Sequence, residues 1–189
     1  MSTNAWEGRL ARLRGPEPSD ATVLQETTKD SEAQLAAGGA IQFPFSFEAG
    51  RRWLEEQSAK LHEGDEVQLL IETLGGELVG GLNTHHVSSR NGTFSYGISI
   101  FRRHHRKGYA ADAIVLLLRH FFNERRYQKC NVTVFSFNEA SIRLHESLGF
   151  IEEGRMRRAV YARRTYHDEI MFGITAEEFL ERHPEGDEH

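Results

Sequence analysis

The sequence predicts a mixed-sheet α/β (α+β) fold, and three observations carry that prediction. The hydrophobic period changes from helical to alternating near Val67 and returns to helical at Gly108. Arg90-Asn91-Gly92 separates two apolar runs, and Asn-Gly is a strong hairpin signal because both turn positions tolerate positive φ. Beyond the second helical stretch the pattern reads strand, helix, strand, so helices, an antiparallel meander and a mixed sheet share one chain.

Taken in order, Leu10 to Arg14 alternates as a strand closed by Gly15-Pro16. Pro18-Ser19-Asp20 offers a cap for a helix over Ala21 to Thr28. Residues 29–47, rich in Gly, Ala and Phe without a clean period, read as loop with short helical pieces. Glu48 to Leu61 reads as a helix whose Trp53, Leu54 and Leu61 supply a buried stripe. Val67 to Leu74, Leu78 to His86 and Thr93 to Phe101 are strands, with Gly75-Gly76 as a turn and Gly80-Gly81 as a bulge. In Gly108 to Glu124, Ala110, Ala113, Ile114, Leu117, Leu118 and Phe121 share one helical face. Asn131 to Phe137 is a strand, Glu139 to Leu148 a helix stopped by Gly149, and strands follow near Phe150, Arg155 to Tyr161 and Tyr166 to Ile174. One domain over residues 1–182 and a flexible, solvated tail over 183–189 complete the expected organisation.

At 189 residues the chain is long enough to bury its own core. Its only cysteine, Cys130, excludes an intrachain disulfide and points to a reducing, cytoplasmic setting. No apolar stretch at Met1 to Leu13 suits a signal peptide, and the longest apolar run, Ala113 to Leu118, is far below the roughly 20 residues that span a bilayer. The net charge of −5 hides a split: Arg102 to Arg164 carries a net +8 and the remainder a net −13. An anion-seeking segment sits inside an acidic protein.

That segment contains the chemistry. Tyr96 to Ile100 reads as a strand, Phe101 to Lys107 as a basic loop, and Gly108-Tyr109-Ala110-Ala111-Asp112-Ala113 as the start of an amphipathic helix. A helix start leaves first-turn amides unpaired at the positive end of the dipole, a geometry that binds phosphate. Gly108 permits close approach, Ala110 and Ala111 keep the helix start narrow, and Arg102, Arg103, Arg106 and Lys107 add positive charge. Neither G-x-x-x-x-G-K-[ST] nor G-x-G-x-x-G after a strand is present, which argues against a P-loop triphosphate or a Rossmann dinucleotide.

Two motifs at this spacing resemble the GNAT superfamily of acetyl-CoA-dependent N-acetyltransferases, within it the ribosomal-protein-alanine N-acetyltransferase-like branch. His105-Arg106-Lys107-Gly108-Tyr109-Ala110 is similar to the family's [Q/R]-x-x-G-x-[G/A] pyrophosphate loop, and Asn138 to Phe150 to its N-x-x-[A/S]-x-x-L-Y-x-x-x-G-F segment. The order of elements agrees from about Gly8 to Leu180, with the run from Glu153 to Met171 similar to the branch's closing strands. The resemblance implies a splayed central sheet with flanking helices, and acetyl-CoA entering between the strand ending at Phe101 and the strand Asn131 to Phe137. It implies pantetheine along Ser99, Ile100 and Phe101, and pyrophosphate on the amides around Arg103, His105, Arg106, Lys107, Gly108, Tyr109 and Ala110. Asn138 and Ser141 are implied contacts of the pantetheine arm. Three positions depart from the pattern: His105 stands where Gln or Arg is usual, Arg106 where many members have Gly, and His145 where Tyr protonates the departing thiolate in many relatives.

The reaction so implied is attack of a neutral primary amine on the acetyl thioester in a ternary complex. The acceptor would be a protein N-terminus, a polyamine or another small amine. A proton must be removed from the amine, a backbone N–H of the Ser99–Phe101 strand would stabilise the oxyanion, and His145, whose imidazole titrates near neutrality, would serve as general acid. The base is unassigned: Ser95 stands where many relatives carry Glu, and Glu72, His85, His86, His167 and Glu169 remain as candidates. His85-His86 and His104-His105 lack ligand spacing, so no metal is expected. No nucleic acid or membrane partner is expected, since the basic segment lacks the aromatic interleaving of a stacking platform; a homodimer is compatible with the reading. Arg155, Arg157, Arg158, Arg163 and Arg164 read as a solvated face. A non-catalytic CoA-binding or sensing module of the same fold is the alternative, suggested by the absent Glu and the His145 substitution. The acidic remainder of the chain favours a cationic acceptor on charge alone.

Overall fold

The computed structural model describes residues 4–59 and 64–184. They form β1 (Ala11–Arg14), α1 (Ala21–Thr27), α2 (Ser31–Gly38), α3 (Phe47–Ala59), β2 (Gln68–Thr73), β3 (Leu78–Ser88), β4 (Thr93–Ile100), α4 (Tyr109–Arg119), β5 (Lys129–Phe135), α5 (Glu139–Leu148), β6 (Ile151–Ala162), β7 (Thr165–Thr175) and α6 (Ala176–Arg182). The seven strands make a mixed sheet. Its chain divides into two compact units, one of residues up to Thr84 with Gly97–Leu116, the other of His85–Tyr96 with residues from Leu117 onward.

In the first unit the strand order is β1-β2-β3-β4. β1 pairs antiparallel with β2, placing Leu13 opposite Ile71 and Arg12 opposite Glu72. Leu13, Leu54, Ile71, Val79 and Leu82 are buried, as the alternation of β1 and the helical stripe of α3 require. Gly80 has a steric reason to be glycine: a Cβ there would collide with the Ser99 carbonyl. β2 and β3 shift register at this point, between Ile71 and Glu72, which is the bulge that Gly80-Gly81 suggested.

Charged groups converge under β1. Glu72, 6% exposed, accepts from Arg12 Nε at 2.5 Å and Arg14 Nε at 2.6 Å, and Arg14 also forks onto the buried Asp20 at 2.8 and 3.0 Å. Burial pushes the Glu72 carboxyl up, but the hydrogen bonds from Arg14 and Arg12 outweigh it and the net displacement is downward. Asp20 behaves alike, its burial offset by Arg14 and by the Glu17 amide.

In the second unit β4 continues to β5 in parallel, with Thr93–Ser95 registered on Lys129–Asn131, and β7 and β6 follow antiparallel. Phe94 anchors an aromatic cluster, its ring 4.3 Å from Phe121 and 5.5 Å from Tyr127. Asn138 caps α5 by accepting from Ser141 N, and Gly149 closes it in the left-handed conformation at φ 97°. The two-residue turn of the β6–β7 hairpin is Arg163-Arg164, with φ of 51° and 67°. That conformation normally calls for Asn-Gly, which hides the turn from sequence patterning.

Several expectations need correction. α4 gives way at His120 to a π-helical turn through Glu124, which turns Phe121 and Phe122 into the core. Trp53 is 46% exposed rather than buried, while Leu61, assigned to the same stripe, lies outside the described residues. The strand expected near Phe150 and the one expected over Arg155 to Tyr161 are a single irregular strand, β6, which begins at Ile151 and shifts register twice. α6 was not anticipated, although Thr175 and Glu178 form its capping box. Of the expected tail, His183 packs against Phe179 at 4.8 Å, and residues 185–189 lie outside the described range.

Candidate active site

The strand, loop and helix start singled out in the sequence all lie in the first unit. β4 ends at Ile100, Arg102–His104 makes one 3₁₀ turn, and Arg106 and Gly108 take φ of 59° and 88° before α4 begins. The first helical hydrogen bond is Asp112 N to Gly108 O at 3.1 Å, so the amides of Gly108, Tyr109, Ala110 and Ala111 have no acceptor within the helix. Four N–H groups at the positive end of an eleven-residue helix can receive the oxygens of a phosphate. Asp112, an acid in the first turn, does not oppose this: its carboxylate accepts from the amides of Leu10 and Ala11 at 2.9 and 3.0 Å. The segment preceding β1 is thereby tied to the helix start, and a Cβ on Gly108 would meet Leu10 Cδ1 at 2.8 Å.

The four cations named by the sequence separate into two pairs. Arg102 is committed to Asp30, with Nε at 2.8 Å and Nη2 at 2.6 Å, and holds that carboxyl down at about 2. Arg103 donates from Nε to the buried His104 Nε2 at 2.9 Å and lies 5.6 Å from the Phe101 ring centroid. Arg106 and Lys107 are exposed and carry no ion pair among the described residues. His105 donates from Nε2 to the Ile100 carbonyl at 2.8 Å, folding the loop back on the strand instead of standing free. Just past the end of β4 the Phe101 amide is spent on the Val79 carbonyl at 2.8 Å. Alternation then turns the Ile100 amide to the opposite strand edge, which narrows the three expected oxyanion donors to one.

In the second unit Asn138 Oδ1 accepts from Ser141 N at 3.2 Å. His145, 3% exposed, packs among Tyr96, Phe150 and Phe172 with ring centroids 5.1 to 6.2 Å away. Its Nδ1 donates to the Ser141 carbonyl at 2.7 Å, and its Nε2 is buried with no partner. Desolvation lowers its pKa more than the Ser141 bond raises it, so at neutral pH the ring is uncharged. A neutral ring with Nδ1–H engaged presents a lone pair, not a proton, at Nε2.

Also in the first unit, α1, α2 and α3 close with β2, β3 and the end of β4 around a cavity of about 910 Å³. Ser99, Ile100, Phe101 and Arg103 line it, as do Phe45 and Trp53. None of Glu72, His85, His86, His167 and Glu169 does, and Glu72 is held ionised by two arginines. Sequence reasoning missed Asp30, Asp112 and this aromatic wall, although the run Ile41-Gln42-Phe43-Pro44-Phe45-Ser46-Phe47 was a readable signal. Among the described residues no group of three His, Cys, Asp or Glu is placed to hold a metal, and no helix is long and apolar enough to cross a membrane.

A mixed sheet in which a strand runs through a short basic loop into a helix start whose first amides have no acceptor in the helix is the arrangement of acyltransferases that take their acyl group from CoA. Residues 11–151 match the family described as Acetyltransferase (GNAT) domain, and the chain belongs to that family. It is an acetyltransferase, and the GNAT fold uses acetyl-CoA. It is 38% identical over 183 residues to the SPbeta prophage-derived uncharacterized N-acetyltransferase YokL of Bacillus subtilis, covering 97% of this chain and 99% of that protein. A second B. subtilis protein, YdaF, named provisionally as a ribosomal N-acetyltransferase, is 27% identical over 88% of this chain and 92% of its own. Among solved structures, spermidine N-acetyltransferase from Vibrio cholerae in complex with CoA and spermine superposes with a TM-score of 0.76 at 20% identity, over 90% of this chain and 98% of that one. That likeness concerns the fold.

Proposed function

We propose that the chain transfers acetyl from acetyl-CoA to a primary amine by direct attack within a ternary complex. The observation that supports this most is continuity: the amides of Gly108 to Ala111 begin eight residues past a strand end that lines a cavity large enough for an acceptor. The pyrophosphate is held by those amides with Arg106 and Lys107, and the thioester lies along Ser99 to Phe101 with the Ile100 amide at its oxygen. Asn138 and Ser141 are assigned to the pantetheine on resemblance alone.

The test is thiol release from acetyl-CoA over an amine panel, read beside cofactor-dependent thermal stabilisation. Acetyl-CoA at 100 times its Kd adds about 2.7 kcal/mol. Stabilisation without turnover on any amine leaves a binding module; no stabilisation removes the cofactor assignment itself. His145 serves as acid only if Nε2 is protonated, which its burial opposes. H145F is therefore expected to keep kcat within about twofold from pH 6 to 9, because the ring mainly fills space between Tyr96 and Phe172. A tenfold fall in kcat with unchanged acetyl-CoA affinity would restore the acid role.

A further inference from the structure

Resting on that reading, we infer that the acceptor is a primary monoamine carried on an uncharged aromatic body, and not a polyamine. The cavity wall sets the first half of the inference. Phe47, Gly50, Trp53 and Leu54 recur at i, i+3, i+6 and i+7 on α3, so they share a face, and all four line the cavity together with Phe45. Phe45, Phe47 and Trp53 remain 47%, 42% and 46% exposed, which leaves ring surface open to a ligand. Gly50 leaves room for the Phe45 ring: a Cβ there would stand 3.0 Å from Phe45 Cε2, a tight contact to which the ring would have to yield by a few tenths of an ångström.

The charges set the second half. Among the described residues two carboxylates line the cavity, Glu26 and Asp30, and each already has a cation. Glu26 accepts from Lys29 Nζ at 2.7 Å, and Asp30 takes both arms of Arg102 while also capping α2 through the Ala33 amide. Arg102 and Arg103 are the lining cations among the described residues, so that part of the lining carries no net charge. Two of its side-chain amides are engaged: Gln34 Nε2 donates to the Thr28 carbonyl at 2.6 Å while its Oε1 accepts from Gln42 N at 2.9 Å, and Gln68 Nε2 donates to the Leu82 carbonyl at 3.3 Å. A polyamine entering here loses water from each further ammonium and must compete with Lys29 and Arg102 for the carboxylates of the described lining. A monoamine has a single nitrogen to desolvate, and the same apolar surroundings lower its pKa and help deliver the neutral nucleophile that the reaction needs. This account also requires no carboxylate base at the amine, in keeping with the absence of Glu72, His167 and Glu169 from the lining.

Steady-state kinetics with acetyl-CoA and either phenethylamine or spermidine test the inference. The expected kcat/KM for phenethylamine is at least tenfold above that for spermidine. W53A is expected to lower the phenethylamine value at least fivefold without moving the acetyl-CoA Kd, and G50A to lower it without lowering Tm, since alanine suits a helix better than glycine. Spermidine turned over as well as phenethylamine, or a ratio unmoved by both variants, overturns it. If neither amine is acetylated, the transfer reading fails separately, and binding decides this one. In W6F, which leaves Trp53 as the only tryptophan of the two, saturable quenching by phenethylamine that spermidine does not displace supports the inference. No quenching, or displacement by spermidine, overturns it.

Discussion

Gly108→Val is expected to abolish the thermal stabilisation by acetyl-CoA at concentrations that saturate the unsubstituted chain, a loss of at least thirtyfold in affinity. Two independent penalties meet at this residue. Its φ of 88° lies where an L side chain costs about 1–2 kcal/mol, and a β-branched residue suffers more than most. The second penalty is milder: a Cβ would stand 2.8 Å from Leu10 Cδ1, the tip of a side chain that is 38% exposed and has room to turn aside. The loop relieves both by moving, and any movement turns the Gly108 to Ala111 amides away from their common focus. The folded chain itself should survive, because Gly108 is exposed and the strand and helix on either side keep their contacts. Isothermal titration with acetyl-CoA on a variant of near-normal Tm checks this, and undiminished affinity would remove the helix start from the cofactor site.

Glu72→Ala carries the largest effect on stability, about 2–3 kcal/mol, or roughly 5–10 °C in Tm for a chain of this size. The reason is what the substitution leaves behind. Arg12 and Arg14 lose an acceptor at 2.5 and 2.6 Å, and Arg14, whose pKa is raised chiefly by its hydrogen bond to Asp20, retains only that one carboxylate. Both arginines keep some access to water, which holds the cost below that of a fully buried charge. The same cluster makes stability pH-dependent. A carboxylate whose folded pKa lies below its ordinary value stabilises the fold above that value and loses the contribution as pH falls through the folded one. Glu72 and Asp20 are both displaced downward from 4.5 and 3.8, so Tm should hold near neutrality and decline as pH drops below about 4.5. In E72Q the part of that decline due to Glu72 disappears. Differential scanning calorimetry from pH 7 to pH 3 on both variants measures it, and parallel acid profiles for E72Q and the unsubstituted chain would refute it.

Charge was legible in the sequence as a budget but not as an address. The central excess of positive charge suggested four arginine and lysine side chains around one anion, and only folding reveals that Arg102 and Arg103 have partners of their own in Asp30 and His104. Likewise the acidic remainder suggested a cationic acceptor, while the cavity it was meant to describe is lined by ion-paired acids and aromatic rings. Composition counts charges before pairing, and pairing depends on residues such as Asp30 and Arg102 that are 72 positions apart.

What the sequence determined by itself is local: the period of each element, the β3–β4 hairpin, although its turn spans residues 89–92 and only Gly92 takes positive φ, the cap and stop of α5, and the strand–loop–helix spacing around Gly108. These follow from backbone sterics and hydrogen bonding over a few residues, and they suffice to place the chain among its relatives. Tertiary structure decided which amide of β4 remains available, that Trp53 faces a cavity and not the core, that His145 is buried and uncharged, and that Asp112 spends its carboxylate on the chain before β1. Each of those depends on who the neighbour is across long sequence separation, where burial and pairing set the energy of a group more than its own identity does.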